Sequence, residues 1–375
     1  MLHCPARRSC RTQFLPDSAL LTHNMLGFRP FRERITFPHM SNAVPSSGPD
    51  AAVLLLNLGT PAAPTARAVR RYLAQFLSDR RVIDYPRWLW WPILHGAILR
   101  VRPRRSARAY AKIWTPQGSP LLVNSRALAA RLAANLAAPE TRVAVGMSYG
   151  EPAIGATIRS LLADGVQRIL LLPMFPQYSA TSTAAAFDAV FAALRDERRV
   201  PEIRSIADYH ADPGYIDALA AGVEKYWFTH GRGERLLLSF HGIPERYVAA
   251  GDPYREQCLT TARLLRERLG ASESELFVAF QSRVGRERWL APYTDATLAE
   301  FAQSGVRHVQ VVCPGFAVDC LETLEEIAIR GREQFLAAGG ERLDYIPALN
   351  ASNAHVQLLH DLIQRNARDW HDARG

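Results

Sequence analysis

The stretch AVLLLNLGTP, residues 52–61, is a run of aliphatic residues that ends in a Gly-Thr-Pro turn. Its apolar residues do not alternate with polar ones, and such runs are typical of strands buried on both faces of a parallel sheet. Residues 65–79 follow with apolar side chains at the spacing i, i+3, i+4 and i+7 of an amphipathic helix. The helical stripe consists of Val69, Tyr72, Leu73, Phe76 and Leu77. A buried strand, a turn and a helix predict the repeating unit of a doubly wound α/β fold.

The second half of the chain repeats the first. LLNLGTP (55–61) parallels LSFHGIP (238–244), and GVQRILLLPMF (165–175) parallels GVRHVQVVCPGF (305–316), in the same order. The repeat predicts two similar Rossmann-like lobes, each a parallel sheet flanked by helices, with a cleft between them. We expect the first lobe to span 51–212 and the second to span 213–348.

Composition and charge narrow the range of possible functions and cellular compartments. The 375 residues carry 45 basic and 36 acidic side chains, but only Lys112 and Lys225 are lysines and no long tract alternates basic with aromatic residues. We therefore expect no nucleic-acid partner. Five cysteines do not form a dense disulfide framework, which favours a reducing, cytoplasmic compartment. Residues 1–50, rich in Arg, Pro and Ser, are interpreted as disordered or as lying upstream of a true start near Met40. No transmembrane helix is predicted.

His241 departs from the repeat's own pattern. In the alignment of the two halves it occupies the place of Leu58, at the carboxyl end of a buried strand, where open α/β sheets bind ligands. The alternative interpretation is a core histidine bonded to a backbone carbonyl.

Three acids follow the corresponding second-lobe strand. If a helix begins near Asp319, the carboxylates of Asp319, Glu322 and Glu326 stand at i, i+3 and i+7 on one face. Stacked carboxylates suit a solvated surface, or a site for protons or a divalent ion. Together with His241 they predict a mixed N/O set for a labile divalent ion rather than a closed structural zinc site.

A third cluster, in residues 76–120, combines arginines with large aromatic residues. It contains Arg80, Arg81, Arg102, Arg104, Arg105, Trp88, Trp90, Trp91 and Tyr110. Guanidinium groups bind carboxylates and aromatic rings pack on flat faces, so the cluster fits an apolar, planar ligand that bears carboxylates. The alternative is a surface amphipathic helix that contacts a membrane or the other lobe. The hydroxyls of FPQYSATST (175–183), including Tyr178 and Ser179, fit either a binding role or a helix cap. No dinucleotide or P-loop fingerprint occurs.

Together these motifs resemble the ferrochelatase family, whose members insert ferrous iron into a porphyrin to make haem. The matching stretches are NLGTP, FLSDRRVID, IWTPQGSPL, LPMFPQYSATST, SFHGIPERY, GDPYREQC, FQSRVGRERWLAPYTD and CPGFAVDCLETLEEI. The resemblance covers most of residues 52–350. It implies a class II chelatase-like fold with the porphyrin between the lobes, and a C-terminal segment, 349–375, whose helix packs back on the first lobe.

The resemblance also implies roles for particular residues. His241 and Glu322 are implied as the catalytic and iron-binding pair on one side of the macrocycle, with Asp319 and Glu326 on a path for protons or metal. The porphyrin-binding residues that it implies are Leu58, Arg80, Arg81, Arg102, Arg105, Tyr149, Tyr178 and Ser179.

The expected partners are the porphyrin and ferrous iron, with peripheral membrane contact through the region Trp88 to Trp91. No cofactor beyond the ferrous substrate is expected. A two-iron two-sulfur cluster on Cys258, Cys313 and Cys320 is a weaker hypothesis, because four thiolates are usual; buried free thiols are the favoured alternative. Two other functions stay open: a chelatase for another tetrapyrrole or metal, such as coproporphyrin or cobalt with sirohydrochlorin, and a carrier that binds without turnover.

Overall fold

The computed structural model describes residues 50–136, 141–285 and 287–372, and most of the predicted extension 1–50 lies outside them. The strands of the first sheet are β1 (Ala51–Thr60), β2 (Thr141–Gly150), β3 (Arg168–Pro173) and β4 (Glu202–Ser205). Those of the second are β5 (Arg235–His241), β6 (Leu276–Gln281), β7 (His308–Val312) and β8 (Arg342–Tyr345). Both sheets are wholly parallel, as predicted.

The two sheets have the same strand order. The first runs β2-β1-β3-β4 and the second runs β6-β5-β7-β8, so each strand of the second lobe is the counterpart of the strand four earlier. The repeated stretches identified in the sequence fall on the pairs β1/β5 and β3/β7. The predicted fold of two similar α/β lobes is therefore confirmed.

Helices connect the strands and cover both faces of each sheet. The α-helices are α1 (Ala66–Phe76), α2 (Arg87–Ile93), α3 (Leu99–Ile113), α4 (Pro120–Leu136), α5 (Ile154–Ala163), α6 (Ala185–Leu194), α7 (Pro213–His230), α8 (Glu245–Ala249), α9 (Tyr254–Leu269), α10 (Thr294–Gln303), α11 (Arg332–Ala337), α12 (Asn353–Ala367) and α13 (Asp369–Asp372). Three π-helical stretches join them, at Leu94–Ile98, Ala180–Ala184 and Glu322–Gly331.

The continuous apolar run of β1 is explained by burial on both faces. Leu55 belongs to one hydrophobic cluster with Leu128 of α4, whereas Leu54 belongs to another with Ile158 of α5. All four side chains are fully buried. Each such burial contributes about 1.5–3 kcal/mol relative to an exposed side chain, so the run stabilises β1 as the centre of its sheet.

The C-terminal helix packs on the first lobe. Helix α12 contacts α4 and α7, and its Leu359 shares the hydrophobic cluster of Leu55 and Leu128. Beyond it, both carboxylate oxygens of Asp369 accept hydrogen bonds from Arg204, at 2.5 and 2.7 Å. The same cluster also contains Leu238 of β5, so the core is continuous between the lobes, and the boundaries proposed at 212 and 348 stay a prediction.

The aromatic segment after residue 86 does not form one exposed surface. Trp88 is 78% exposed and Trp91 is 42% exposed, but Trp90 is 8% exposed and its indole Nε1 donates to the carbonyl of Leu77 at 2.7 Å. Within the region predicted to contact a membrane, Trp90 therefore packs into the first lobe, whereas Trp88 and Trp91 are exposed. Among the described helices, none combines the length and apolarity that crossing a bilayer requires.

Candidate functional site between the lobes

His241 is the last residue of β5, after a strand whose preceding side chains from Leu236 are buried. Its Nδ1 lies 2.6 Å from the carbonyl oxygen of Gly242. A carbonyl only accepts, so Nδ1 carries the proton and the lone pair is on Nε2. The carbonyl bond anticipated for a core histidine thus exists, but the ring is only half-buried. This tautomer leaves the half-buried imidazole with a basic nitrogen.

Gln281 links the strand that bears His241 to the acidic helix. Gln281 ends β6 and is in register with His241, so the two backbones are neighbours about 5 Å apart. The side-chain amide of Gln281 donates to the carbonyl oxygen of Glu322 at 2.8 Å. His241 and Glu322 therefore belong to the same end of the second sheet, joined through one intervening residue.

The acidic helix begins close to Asp319, as predicted, but differs from the prediction in its geometry. Leu321 is already helical, and the helix is π-helical from Glu322 to Gly331. A π-helix has a wider turn than the α-helix assumed for the spacing i, i+3, i+7, and it often marks functional sites. The expected stacking of three carboxylates on one α-helical face is therefore wrong, and the three acids lie in different surroundings.

Glu322 lines a small cavity to which both lobes contribute residues. The second lobe contributes Cys320, Leu321 and Glu322 to its wall. The first lobe contributes Leu58, Gly59, Thr60, Tyr72, Tyr110, Ser119 and Leu121. The cavity brings Leu58, predicted as a porphyrin contact, to the same space as Glu322.

The first-lobe side of this cavity carries buried hydroxyls, of which those of Thr60, Ser119 and Tyr72 were not predicted as site residues and that of Tyr110 belongs to the predicted aromatic cluster. Thr60 Oγ1 donates to Ser119 Oγ at 2.7 Å, and the Tyr72 hydroxyl donates to the carbonyl oxygen of Gly59 at 3.2 Å. Burial, followed by the charge of Glu322, raises the pKa of Tyr72 above its ordinary value. Burial also raises that of Tyr110, so both phenols stay protonated donors. Thr60 and Ser119 could have been identified from the motifs NLGTP and IWTPQGSP, because a hydroxyl buried beside an apolar strand or helix needs a hydrogen-bond partner.

The predicted arginines fall into three groups: exposed ones, one that binds an acidic side chain, and one that is half-buried near Glu322. Arg80 and Arg105 are exposed. Arg81 binds Asp188 through two nitrogens, at 2.7 and 3.2 Å. Arg102 is half-buried, and burial lowers its pKa while the nearby charge of Glu322 opposes that shift. Arg102 is thus the predicted arginine that interacts electrostatically with Glu322.

Glu326 lines a second, open cleft whose walls also include Ser282, Asp295 and Arg330. Its carboxylate accepts from the backbone N–H of Ser282 at 2.9 Å and from the Ser282 hydroxyl at 2.5 Å. Arg330 lies 3.5 Å from the same carboxylate. Asp319, by contrast, is 6% exposed and its oxygens accept from Thr323, Tyr345 and Asn350.

Tyr149, Tyr178 and Ser179 are held by other contacts. Buried Tyr149 donates its hydroxyl to Asp79 Oδ2 at 2.8 Å. Tyr178 is half-buried, and its backbone N–H donates to the side chain of Gln257 at 2.6 Å. Ser179 Oγ accepts from the N–H of Thr181 at 3.2 Å, so the helix-cap interpretation is the one that Ser179 fulfils.

The cysteines of the described chain are buried free thiols. Cys258, Cys313 and Cys320 are each at most 3% exposed, and burial raises the pKa of all three well above the ordinary value. Within residues 50–136, 141–285 and 287–372, no group of three or more His, Cys, Asp or Glu side chains is arranged to hold a metal ion. The favoured alternative of buried free thiols therefore describes these three cysteines, and a two-iron two-sulfur cluster stays a hypothesis.

Comparison with known proteins extends the resemblance seen in the sequence. A family model described as Ferrochelatase matches residues 50–367. The chain is 54% identical over 323 residues to Ferrochelatase of Nitrosococcus oceani, covering 86% of this chain and 88% of that protein. It is 51% identical over 328 residues to Ferrochelatase 1 of Shewanella oneidensis, covering 87% and 98%. The sirohydrochlorin chelatase SirB of Bacillus subtilis subspecies spizizenii, solved in complex with cobalt, aligns with 85% of this chain and 94% of its own at a TM-score of 0.49 and 13% identity.

Proposed function

The chain belongs to the ferrochelatase family, and from this premise we propose that it inserts ferrous iron into protoporphyrin and releases two protons as haem forms. The observation that carries the proposal is the cavity between the lobes. Glu322 of the second lobe meets Leu58 and the buried phenols of the first lobe there, beside the sheet end that bears His241. A flat ring held between lobes would have these groups along it.

Metal insertion needs proton acceptors, because two pyrrole nitrogens must lose their protons. We propose His241 Nε2 as one acceptor, since its Nδ1 is already fixed by the Gly242 carbonyl and the ring orientation is thereby set. Glu322 is the second, as a carboxylate that receives a proton or directs the ferrous substrate. The two groups are proposed together because Gln281 ties their backbones to one end of the sheet.

Arg102 is proposed as an anchor for a carboxylate of the porphyrin. It is half-buried near Glu322, Tyr72 and Tyr110, and a guanidinium in such surroundings binds a carboxylate strongly. Arg80 and Arg105 are exposed and suit a rim contact, as Leu58, Tyr149 and Tyr178 suit contacts with the ring. Arg81 already binds Asp188, and Ser179 already caps a helix, so their contribution is to hold the walls of the site.

Glu326 is proposed to lead protons or hydrated metal away from Glu322 toward the open cleft. It follows Glu322 by one turn of the π-helix and lines that cleft. Asp319 is proposed as a fixed acceptor rather than a carrier, because both of its oxygens are already occupied by donors.

We propose a cytoplasmic enzyme that contacts a membrane peripherally. The contact surface is formed by Trp88, Leu89, Trp91 and Ile93, each more than 40% exposed. Exposed large apolar groups on one short helix suit the interface of a bilayer, from which an apolar porphyrin is taken up. No cofactor beyond the ferrous substrate is proposed.

The direct test is anaerobic insertion of Fe²⁺ into protoporphyrin, measured as the loss of porphyrin fluorescence. We expect repeated turnover, and a loss of about 100-fold or more in kcat for His241→Ala and for Glu322→Gln. Two exposed residues outside the site, changed in His230→Ala and Glu333→Gln, supply matched controls that keep the wild-type rate. Metallation that stops at one porphyrin per protein would instead indicate a carrier. Faster turnover with coproporphyrin, or with cobalt and sirohydrochlorin, would assign a different substrate.

A further inference from the structure

Asn350 fastens the loop that leads into the π-helix. Its side-chain Oδ1 accepts from the backbone N–H of Asp319 at 2.8 Å, and its Nδ2 donates to Asp319 Oδ2 at 2.6 Å. Its own backbone N–H donates to the carbonyl of Ala317 at 3.0 Å. One residue outside the loop therefore makes three hydrogen bonds to residues 317–319, immediately before Glu322.

Asp319 in turn binds the first turn of the π-helix through Thr323. Its Oδ1 accepts from the hydroxyl of Thr323 at 3.0 Å and from that of Tyr345 at 2.5 Å. Burial, followed by the charge of Asp319, raises the pKa of Tyr345 well above its ordinary value, so the phenol remains a donor. Thr323 is adjacent to Glu322 in the first turn. The buried side chain of Asp319 is thus held by Thr323, Tyr345 and Asn350 together.

The backbone of Asn350 restricts which residues can serve here. Its φ is +47°, in the left-handed region that asparagine and glycine enter more readily than other residues. Glycine tolerates the angle but has no amide. Aspartate keeps the acceptor for the Asp319 N–H but would set a second carboxylate against the first. Asparagine alone among these three meets both requirements.

The other end of the network reaches the first lobe. His355 Nδ1 donates to the carbonyl of Asn350 at 2.5 Å, and the hydroxyl of Ser352 accepts from the His355 N–H at 3.2 Å. Both residues belong to the start of α12, which packs on α4. A continuous path of short contacts thus runs from the first lobe through Asn350 and Asp319 to the turn that carries Glu322.

We propose that Asn350 is a positioning residue for Glu322, which sets the first turn of the π-helix by holding Asp319 against the base of α12. This inference rests on the proposed function, in which Glu322 acts on the porphyrin or the metal. Asn350 lies behind the helix and acts on the reaction only through the placement of that turn.

The test compares Asn350→Gly, Asn350→Asp and wild type in the iron-insertion assay. Asn350→Gly keeps the backbone angle and removes the amide; we expect kcat to fall by about 10- to 100-fold, with KM for porphyrin unchanged, because displacement of a reacting group by about 1 Å has effects of that size. Asn350→Asp is expected to lose more than the glycine variant. Asn366→Ala, near the other end of α12, where the side chain donates to the carbonyl of Leu362, is the control and keeps the wild-type kcat.

Combining variants separates positioning from a general loss of stability. In a Glu322→Gln background, Asn350→Gly is expected to cause no further loss of kcat, although it lowers the melting temperature in both backgrounds. An equal loss of kcat in both backgrounds would overturn the proposal, as would a wild-type kcat for Asn350→Gly when Glu322→Gln is inactive. If Glu322→Gln itself is fully active, the proposed function of Glu322 has failed, which is a distinct outcome.

Discussion

The side-chain amide of Gln281 holds the main chain of Glu322: Gln281 Nε2 lies 2.8 Å from the Glu322 carbonyl oxygen. The same Gln281 side chain accepts from the Ser239 hydroxyl at 2.6 Å, and its backbone is paired in register with that of His241. One buried amide therefore connects β5 and β6 to the helix that carries Glu322. The acceptor Oε1 and the donor Nε2 of this amide can be changed separately, so substitutions of Gln281 test its link to Glu322.

Replacement of Gln281 by glutamate is expected to impair insertion and to lower the free energy of unfolding, because a buried carboxylate would face the Glu322 carbonyl. The carboxylate still accepts from Ser239, but the donor to the Glu322 carbonyl is lost. Gln281→Leu removes both bonds and leaves buried polar groups unpaired, at a cost of about 1–3 kcal/mol for each. Urea unfolding and iron insertion, measured on both variants, check this. Equal activities for wild type and Gln281→Glu would count against the link.

Neighbouring tryptophans of α2 are expected to behave oppositely. Trp88→Ser with Trp91→Ser should weaken association with anionic liposomes without changing the melting temperature, because both side chains are exposed. Trp90→Ser should lower the melting temperature, since it removes a buried ring and its bond to Leu77. Co-sedimentation and calorimetry provide the readouts. Unchanged liposome association of the double variant would contradict the proposed membrane contact.

The buried His355 should make the fold less stable in mild acid. Burial lowers its pKa from the ordinary 6.5 to about 4, so between these values the unfolded chain takes up a proton that the folded chain does not. The stability contributed by the neutral ring is therefore full above pH 6.5 and is lost as the pH falls toward 4, by about 2 kcal/mol at pH 5. His355→Asn, which keeps a donor near Nδ1, should show a smaller decrease in the free energy of unfolding between pH 8 and pH 5. The same decrease in both proteins would be the contrary result.

Thiol chemistry should distinguish buried cysteines from cluster ligands. In a Cys4→Ser, Cys10→Ser background, we expect Cys258, Cys313 and Cys320 to react slowly with a disulfide reagent in the native protein and fully in denaturant. Burial and the raised pKa both suppress the reactive thiolate. Anaerobically purified protein should lack charge-transfer absorption. Visible absorption that disappears on substitution of these cysteines would restore the cluster hypothesis.

The fold was accessible from the sequence because its main signals are local and repeated. The unbroken apolar run before Gly59 reports burial on both faces of β1, and the match between the halves predicts the second sheet. His241 stood out for the same reason, as a polar residue in an apolar repeat. These inferences need only strand periodicity and an internal alignment.

Much of the site required three dimensions. Tyr72 and Tyr110 come from separate helices, and no local pattern predicts that both line a cavity with Glu322. Asp319 was misplaced because its partners Tyr345 and Asn350 lie 26 and 31 residues away. The π-helix also escapes prediction, because periodicity arguments assume the much commoner 3.6-residue turn.

The position of α12 has a consequence for synthesis of the protein. Residues 353–367 cover the apolar surface formed by α4 and α7, so this surface stays uncovered until α12 has left the ribosome. During translation the first sheet is therefore formed while the surface that α12 covers is still exposed. Premature termination would leave this apolar surface exposed to chaperones and prone to aggregation.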